Sequence, residues 1–447
     1  MKQYLKIFFA TIFLLVTFDY TKAQIINTIA GNGSASYCGD GGAATNACID
    51  SQWDIAVDKK GNVYIGDRWS NRIRKVDNLG NITTFAGTGT AGYNGDNIPA
   101  TSAMLSYCPG VAVDNIGNVY IGDGQNHRVR KVDTSGIITT ILGTGVSGYN
   151  GDNGQATAAQ IDGVIAIAID NSGNIYINDD SYSVIRKIAT TGIITTIAGT
   201  GVAGFNGDGG AATAAQLYGA NCLTVDSSGN IYTVSTDGTT YSKIRKINTM
   251  GIINTIAGDS MGYSGDGGFA INAKIFGGGL TVDKLGNLYF ADVANYRIRR
   301  IDVNTGIITT VVGNGLQGFS GDGGSPLSAE LNNPYSVIFD YYGSLYISDT
   351  GNDRIRKVDN TVGIQQFKND LQLTVYPNPN NGNFTIETNY TTEKQSLQLF
   401  DVTGKMVLSQ TLNNKANINA SSLDNGVYFL QVKTNQNIST QKVIVQH

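Results

Sequence analysis

Carboxylates recur along this chain at two fixed places. One series closes strand-like runs at Asp67, Asp123, Asp179, Asp292 and Asp349; the other occupies Gly-Asp loops at Asp40, Asp96, Asp152, Asp208, Asp266 and Asp322. A ring of acids around one axis can hold a divalent cation and activate water, the chemistry of a metal-dependent hydrolase or lyase. Calcium, the cation such acids would favour, needs about six to eight oxygens, usually from several carboxylates. Each Gly-Asp loop brings one, so these loops read first as turns that lead into short helices. The strand-end acids each precede a polar hairpin loop, so local turn hydrogen bonds are their first expectation. A ligand or cation role is the second, and Ser235 breaks that series in the fourth copy.

Other catalytic machinery is sparse. The only histidines past residue 23 are His127 and His447, too few for a multi-histidine zinc site. His127 takes the place held by Asn71, Tyr296 and Asp353 in other copies, as a tolerant surface position would. Glu330 is the one glutamate between residues 24 and 364, which argues against a paired catalytic carboxylate that includes Glu. A Ser-His-Asp triad would have to use His127, and no GxSxG elbow accompanies it. No catalytic residue is therefore assigned, and no cofactor is expected. A net charge of −4 gives no electrostatic footprint for nucleic acid.

The elements that position these residues come from one repeated unit. Successive Gly-Asp loops stand 56, 56, 56, 58 and 56 residues apart. Within each unit a strand ends in Asp and turns at a Gly, as at Asp58/Gly61 and Asp170/Gly173. An Ile/Val-Arg-Lys/Arg strand follows, carrying Arg74, Arg130, Arg186, Arg245, Arg299 and Arg356, and then an apolar strand such as 192–199. In the first unit the four strand-like runs are 54–57, 62–65, 72–76 and 81–86, punctuated by turn residues. Such a small sheet cannot cover both its faces alone, and radial stacking between neighbours does so. Residues 25–31 form a fourth strand lacking its first three, while the sixth unit has three strands lacking a fourth. The two should pair and latch a ring. Equivalent arginines are expected to make inter-blade ion pairs or backbone hydrogen bonds, and a single ligand site should show where the copies differ. Tyr218 and Tyr335 are the ligand candidates of that kind, in lead-in segments that also vary at Tyr107, Cys108, Pro109, Asp162, Cys222 and Phe276.

The order Val-Asp-x-x-Gly-Asn-Val-Tyr-Ile-x-Asp, then Asn-x-Arg-Ile-Arg-Lys-Val, resembles the NHL repeat, and Asn126-His127 supplies its name-giving pair. The resemblance runs from Ile25 to about Ile364 and implies a six-bladed β-propeller, commonly a binding platform. Residues 371–447 differ: Val375-Tyr376-Pro377-Asn378-Pro379, Leu399-Phe400-Asp401-Val402-Thr403-Gly404-Lys405 and Asp424-Asn425-Gly426-Val427-Tyr428 are similar to the C-terminal sorting domain of type IX secretion cargo. That resemblance implies a small β-sandwich recognised by the secretion machinery at the outer membrane.

The expected organisation is all-β: a signal peptide at 1–23, a six-bladed propeller at 24–364, a linker at 365–370 and the sorting β-sandwich at 371–447. Lys2 and Lys6, an apolar run at 7–16 and Thr21-Lys22-Ala23 carry the first of these. No transmembrane segment is expected once the signal is removed. Export permits disulfides, and Cys38 and Cys48, within one loop, are the favoured pair; Cys108 and Cys222 are expected to be buried and free. The leading expectation is a secreted or cell-surface, non-enzymatic platform for an extracellular protein or glycan. The alternative is a metal-dependent hydrolase or lyase with an Asp-lined channel.

Overall fold

The computed structural model describes residues 24–359, 373–388, 395–401, 405–433 and 438–447. The expected signal peptide (1–23) and linker (365–370) lie outside the described residues. Two compact units divide the chain on either side of residue 362.

The first unit is built of six antiparallel sheets. Blade 1 runs through Gln52–Val57, Val63–Asp67, Arg72–Val76 and Ile82–Ala86. Blades 2 to 5 repeat the order, starting from the inner strands Val111–Val113, Ile167–Ile169, Ala220–Val225 and Gly277–Val282. Blade 6 takes Pro334–Phe339, Leu345–Asp349 and Arg354–Val358 from the end of the unit. Its fourth strand is Ile26–Ala30, which pairs antiparallel with Arg354–Val358 from Ile26↔Val358 onward. The six inner strands touch one another in cyclic order, so the ring is closed.

Local chemistry explains the hairpins. In blade 1 the Asp58 carboxylate accepts the Lys60 and Asn62 amides at 2.9 Å each, while Asn62 Nδ2 donates to its other oxygen at 2.6 Å. Gly61 closes the turn at φ +82°, a conformation that disfavours any side chain. The same net recurs on Asp114, Asp170 and Asp226. The repeated Asp-x-x-Gly-Asn is thus a self-satisfied turn.

Apolar burial lies between blades. Ala56, Tyr64 and Ile73 of blade 1 pack with Val111, Ile121 and Val132 of blade 2, and the pattern repeats at each junction through to blade 6 against blade 1. Each fully buried Ile or Val contributes about 1.5–3 kcal/mol, so neighbouring sheets stabilise one another. Near the axis the strands approach too closely for side chains in places. A Cβ on Gly279 would stand 2.7 Å from Ser336 Cα, and one on Gly110 would stand 2.5 Å from the Ile165 carbonyl oxygen.

The junction of blades 6 and 1 is tied by side chains near the axis as well. Gln52 Nε2 donates to the carbonyls of Asp349 and Arg354 at 3.3 and 2.9 Å. Ser348 Oγ donates to the Gln52 carbonyl at 2.6 Å, and Ser336 Oγ to Asp54 at 2.9 Å. These ties explain why the first strand begins at Gln52, two residues before the expected run: a buried glutamine pairs there with partners about 300 positions away, which local pattern does not reveal.

The second unit has a three-stranded sheet, Leu373–Tyr376, Asn383–Thr388 and Lys415–Asn419, and a four-stranded one. The four strands are Met406–Leu412, Gln395–Phe400, Gly426–Lys433 and Ile438–Val445 in spatial order. Val375, Phe384 and Ile386 of one sheet share a core with Leu397, Leu399 and Leu430 of the other, which makes a β-sandwich.

Candidate functional site

The repeated charges converge inside each blade. Arg74 is fully buried; its Nη2 donates to Asp40 at 2.6 Å, and its Nη1 stands 3.5 Å from Asp67. It also donates to the carbonyls of Cys38 and Cys48, at 3.1 and 3.3 Å. One arginine therefore fastens the crossover loop between blades 6 and 1 to the third strand of blade 1. Arg130, Arg186, Arg299 and Arg356 repeat the arrangement with Asp96/Asp123, Asp152/Asp179, Asp266/Asp292 and Asp322/Asp349. In blade 4 Arg245 keeps Asp208, while Ser235 Oγ accepts the Tyr218 amide at 2.7 Å in place of a carboxylate.

Two acids sharing one buried cation do not ionise alike. Burial works against the charge of Asp40, yet hydrogen bonds from Thr84 and Tyr37 and the Arg74 charge outweigh it, so its pKa falls. Asp67 lies deeper, and burial outweighs the Asp50 amide and Arg74, pushing it up to about 6. Asp123 and Asp349 also stand at about 6 and Asp179 at about 7, burial being the first cause in each. These groups are inside the wall, with their other oxygens accepting the amides of Asp50, Ser106, Asp162 and Asn332. The strand-end series Asp67, Asp123, Asp179, Asp292 and Asp349 is accordingly placed in the blade interiors, where all five are buried.

The open space of the ring is its axial channel, a cavity of about 200 Å³ lined by inner-strand residues of all six blades. Asp54 is the carboxylate on that lining; it accepts the Val111 amide and the Ser336 hydroxyl, and burial pushes it up to about 6. At one end stand Trp53 and Tyr335, stacked with centroids 4.7 Å apart. Tyr107 meets the edges of Trp53 and Trp69 at 6.4 and 5.6 Å. The Arg68 guanidinium lies over three of these rings, 3.9 Å from Trp53, 4.4 Å from Trp69 and 4.7 Å from Tyr107. A second cavity of about 140 Å³ adjoins at Ile165 and is lined by Tyr107, His127 and Asp162. His127 Nδ1 stands 3.1 Å from Asp162 there.

The two aromatic candidates separate. Tyr335 lines the channel, whereas Tyr218 stacks at 5.3 Å on Phe205 of the crossover between blades 3 and 4. Cys38 and Cys48 are disulfide-bonded, and Cys108 and Cys222 are buried and free. Sequence reasoning passed over Trp53, Arg68 and Trp69. The signal was available: the chain has two tryptophans, and both fall in one blade, either side of a residue that no other copy repeats. His127, Asn71, Ser183, Tyr296 and Asp353 share left-handed backbone near φ +50°, so their position is defined by a turn, not by side-chain chemistry.

Residues 374–446 match the secretion system C-terminal sorting domain, and residues 26–94 and 89–150 match the teneurin NHL domain. Mouse Teneurin-4 is 30% identical over 296 residues, 56% of this chain. Teneurin-3 of Danio rerio is 27% identical over 420 residues, 85% of this chain. These matches span 10% and 14% of the relatives' own lengths. Among solved structures, a Bacteroides thetaiotaomicron protein of unknown function is similar at a TM-score of 0.55 and 22% identity, covering 75% of this chain and 76% of that one. An auxiliary nutrient binding protein from Bacteroides ovatus is similar at 0.54 and 16%, with the same coverage. Both likenesses concern the fold. No helix among the described residues is long and apolar enough to cross a membrane.

Proposed function

Because this chain is an NHL-repeat β-propeller with a type IX secretion C-terminal sorting domain, which directs it to the cell surface or exterior, we propose that it is a non-enzymatic platform for an extracellular protein or glycan. It works without a cofactor and holds its ligand at the aromatic mouth of the channel. One observation carries this reading. The charges repeated in every blade are paired inside the walls, so the groups left for a ligand are those that differ between blades. At the channel mouth those groups include the rings of Trp53, Trp69 and Tyr335 and the Arg68 cation, and aromatic faces suit sugars and apolar side chains. The Bacteroides ovatus protein of the same fold is named for nutrient binding, in keeping with such a use.

The full mature chain should be screened on glycan and peptide arrays and titrated by calorimetry against the hits. Saturable binding that Trp53→Ala weakens at least tenfold is expected. No hit on either array, or release of a chemically altered product, would overturn the platform reading.

A further inference from the structure

Residues that follow the strand-end position show how the blades differ at the mouth. They are Arg68, Gly124, Asp180, Thr236, Val293 and Thr350. Five of the six neighbouring positions just before them are the repeated aspartate, so the scaffold is constant and this one site is not. A feature needed for folding would recur; a cation in one blade and an acid in another point to recognition.

Arg68 stands apart from every other arginine of the propeller. The others donate to carbonyls or carboxylates, as Arg72 does to Ser70 and Thr88 and Arg128 to Asn126 and Thr144. Arg68 is 8% exposed, and its buried Nε and Nη1 have no hydrogen-bond partner. No carboxylate of the described residues forms an ion pair with it. Three aromatic rings surround the guanidinium and supply no acceptor to its Nε and Nη1. Buried donors without partners are rare in folded proteins and call for an acceptor; a guanidinium prefers a carboxylate, which it grips with two parallel bonds. Trp69 is 56% exposed, so a flat indole face lies open beside the cation. Asp180, two blades away, has a buried Oδ1 that also lacks a partner. Burial, and then Asp162, raise its pKa. Arg68 and Asp180 hold the same repeat position, directly after the second strands of blades 1 and 3, so both lie toward one face of the ring.

We propose that this mouth binds an acidic saccharide, with the sugar carboxylate on Arg68, the ring face on Trp69 and a hydroxyl donated to Asp180. The assignment rests on the platform reading and narrows its ligand to uronate-type sugars.

Both tryptophans of the chain are at this site, so tryptophan emission of the full-length protein, excited selectively over tyrosine, reports on it. The probes are D-galacturonate, D-galactose, inorganic phosphate and an N-acetylated dipeptide with a free carboxylate. A saturable fluorescence change with galacturonate is expected, with galactose and phosphate at least tenfold weaker. Arg68→Gln should weaken galacturonate at least tenfold, and the exposed Trp69→Ala, which leaves the core untouched, should weaken it severalfold by calorimetry. Equal response to galactose or phosphate, an unchanged titration in Arg68→Gln, or no response to galacturonate would overturn the proposal. A response to the dipeptide without one to galacturonate would overturn the saccharide assignment. Array hits that Arg68→Gln retains would leave the platform standing while this site falls.

Discussion

Replacing Arg74 with methionine removes the one cation that two carboxylates share. Four contacts are lost with it: Asp40 at 2.6 Å, Asp67 at 3.5 Å, and the carbonyls of Cys38 and Cys48 at 3.1 and 3.3 Å. Breaking a buried pair by deleting one partner costs about 3–5 kcal/mol, because the remaining charge is left without compensation. Unfolding entropy of about 2.1 cal/mol/K per residue gives the roughly 340-residue ring about 0.7 kcal/mol/K, so Tm should fall by about 4–7 °C. The sign of the pH dependence follows from Asp67. Its folded pKa of about 6 exceeds the ordinary value of 3.8, so the ring holds that proton more tightly than the unfolded chain. The resulting stabilisation is full at low pH and is lost as pH rises through about 6. Without Arg74 the acid holds its proton more tightly still. The deficit of the variant should therefore be largest near pH 8 and shrink toward pH 5. Adding Asp67→Asn should recover part of it near pH 8. Calorimetry of the full chain across that range tests the account; a Tm drop below about 1 °C near pH 8, or a deficit that ignores pH, refutes it.

Deleting residues 24–31 removes buried Ile26 and Ala30 and bares the edge of Arg354–Val358; the loss should exceed about 3 kcal/mol, and an unchanged melting temperature would contradict the latch. Reducing the Cys38–Cys48 bridge frees a short loop, so a reductant should lower stability by about 2–3 kcal/mol on chain-entropy grounds, read as a shift in urea midpoint with little change in slope. Asp170→Ala strips partners from the Ser172 and Asn174 amides and the Tyr176 hydroxyl; it should lower Tm by about 2 °C, corresponding to about 1–2 kcal/mol, whereas a neutral outcome would mean that water replaces the carboxylate.

The ring was legible because its determinants are local and repeated. Asp58, Gly61 and Asn62 build one turn from neighbours within five residues, and six copies of such a turn announce six sheets. The sorting sandwich was legible for a related reason, since alternating runs such as 383–387 mark strands with one buried face. The mouth was not. Arg68 reads in sequence as an ordinary surface charge, and only the fold brings Tyr107 and Trp53 against its guanidinium. Tyr335 and Trp53 meet across nearly the whole unit. The strand-end aspartates were candidates because their spacing shows a ring, yet spacing does not tell whether a carboxylate faces the lumen or an arginine within the wall.

The join between first and last blades has a mechanical consequence. Bringing Ile26 to Val358 closes a loop of over 330 residues, an entropic penalty of about 5 kcal/mol by the logarithmic law that no other blade boundary carries. Opposing it are a backbone ladder at the rim and, near the axis, Gln52, Asp54 and Trp53 clasping blade 6. Trp53 is also a wall of the channel mouth. Whatever molecule settles against that indole therefore leans on the clasp, and its occupancy and the integrity of the circle are read through the same side chain.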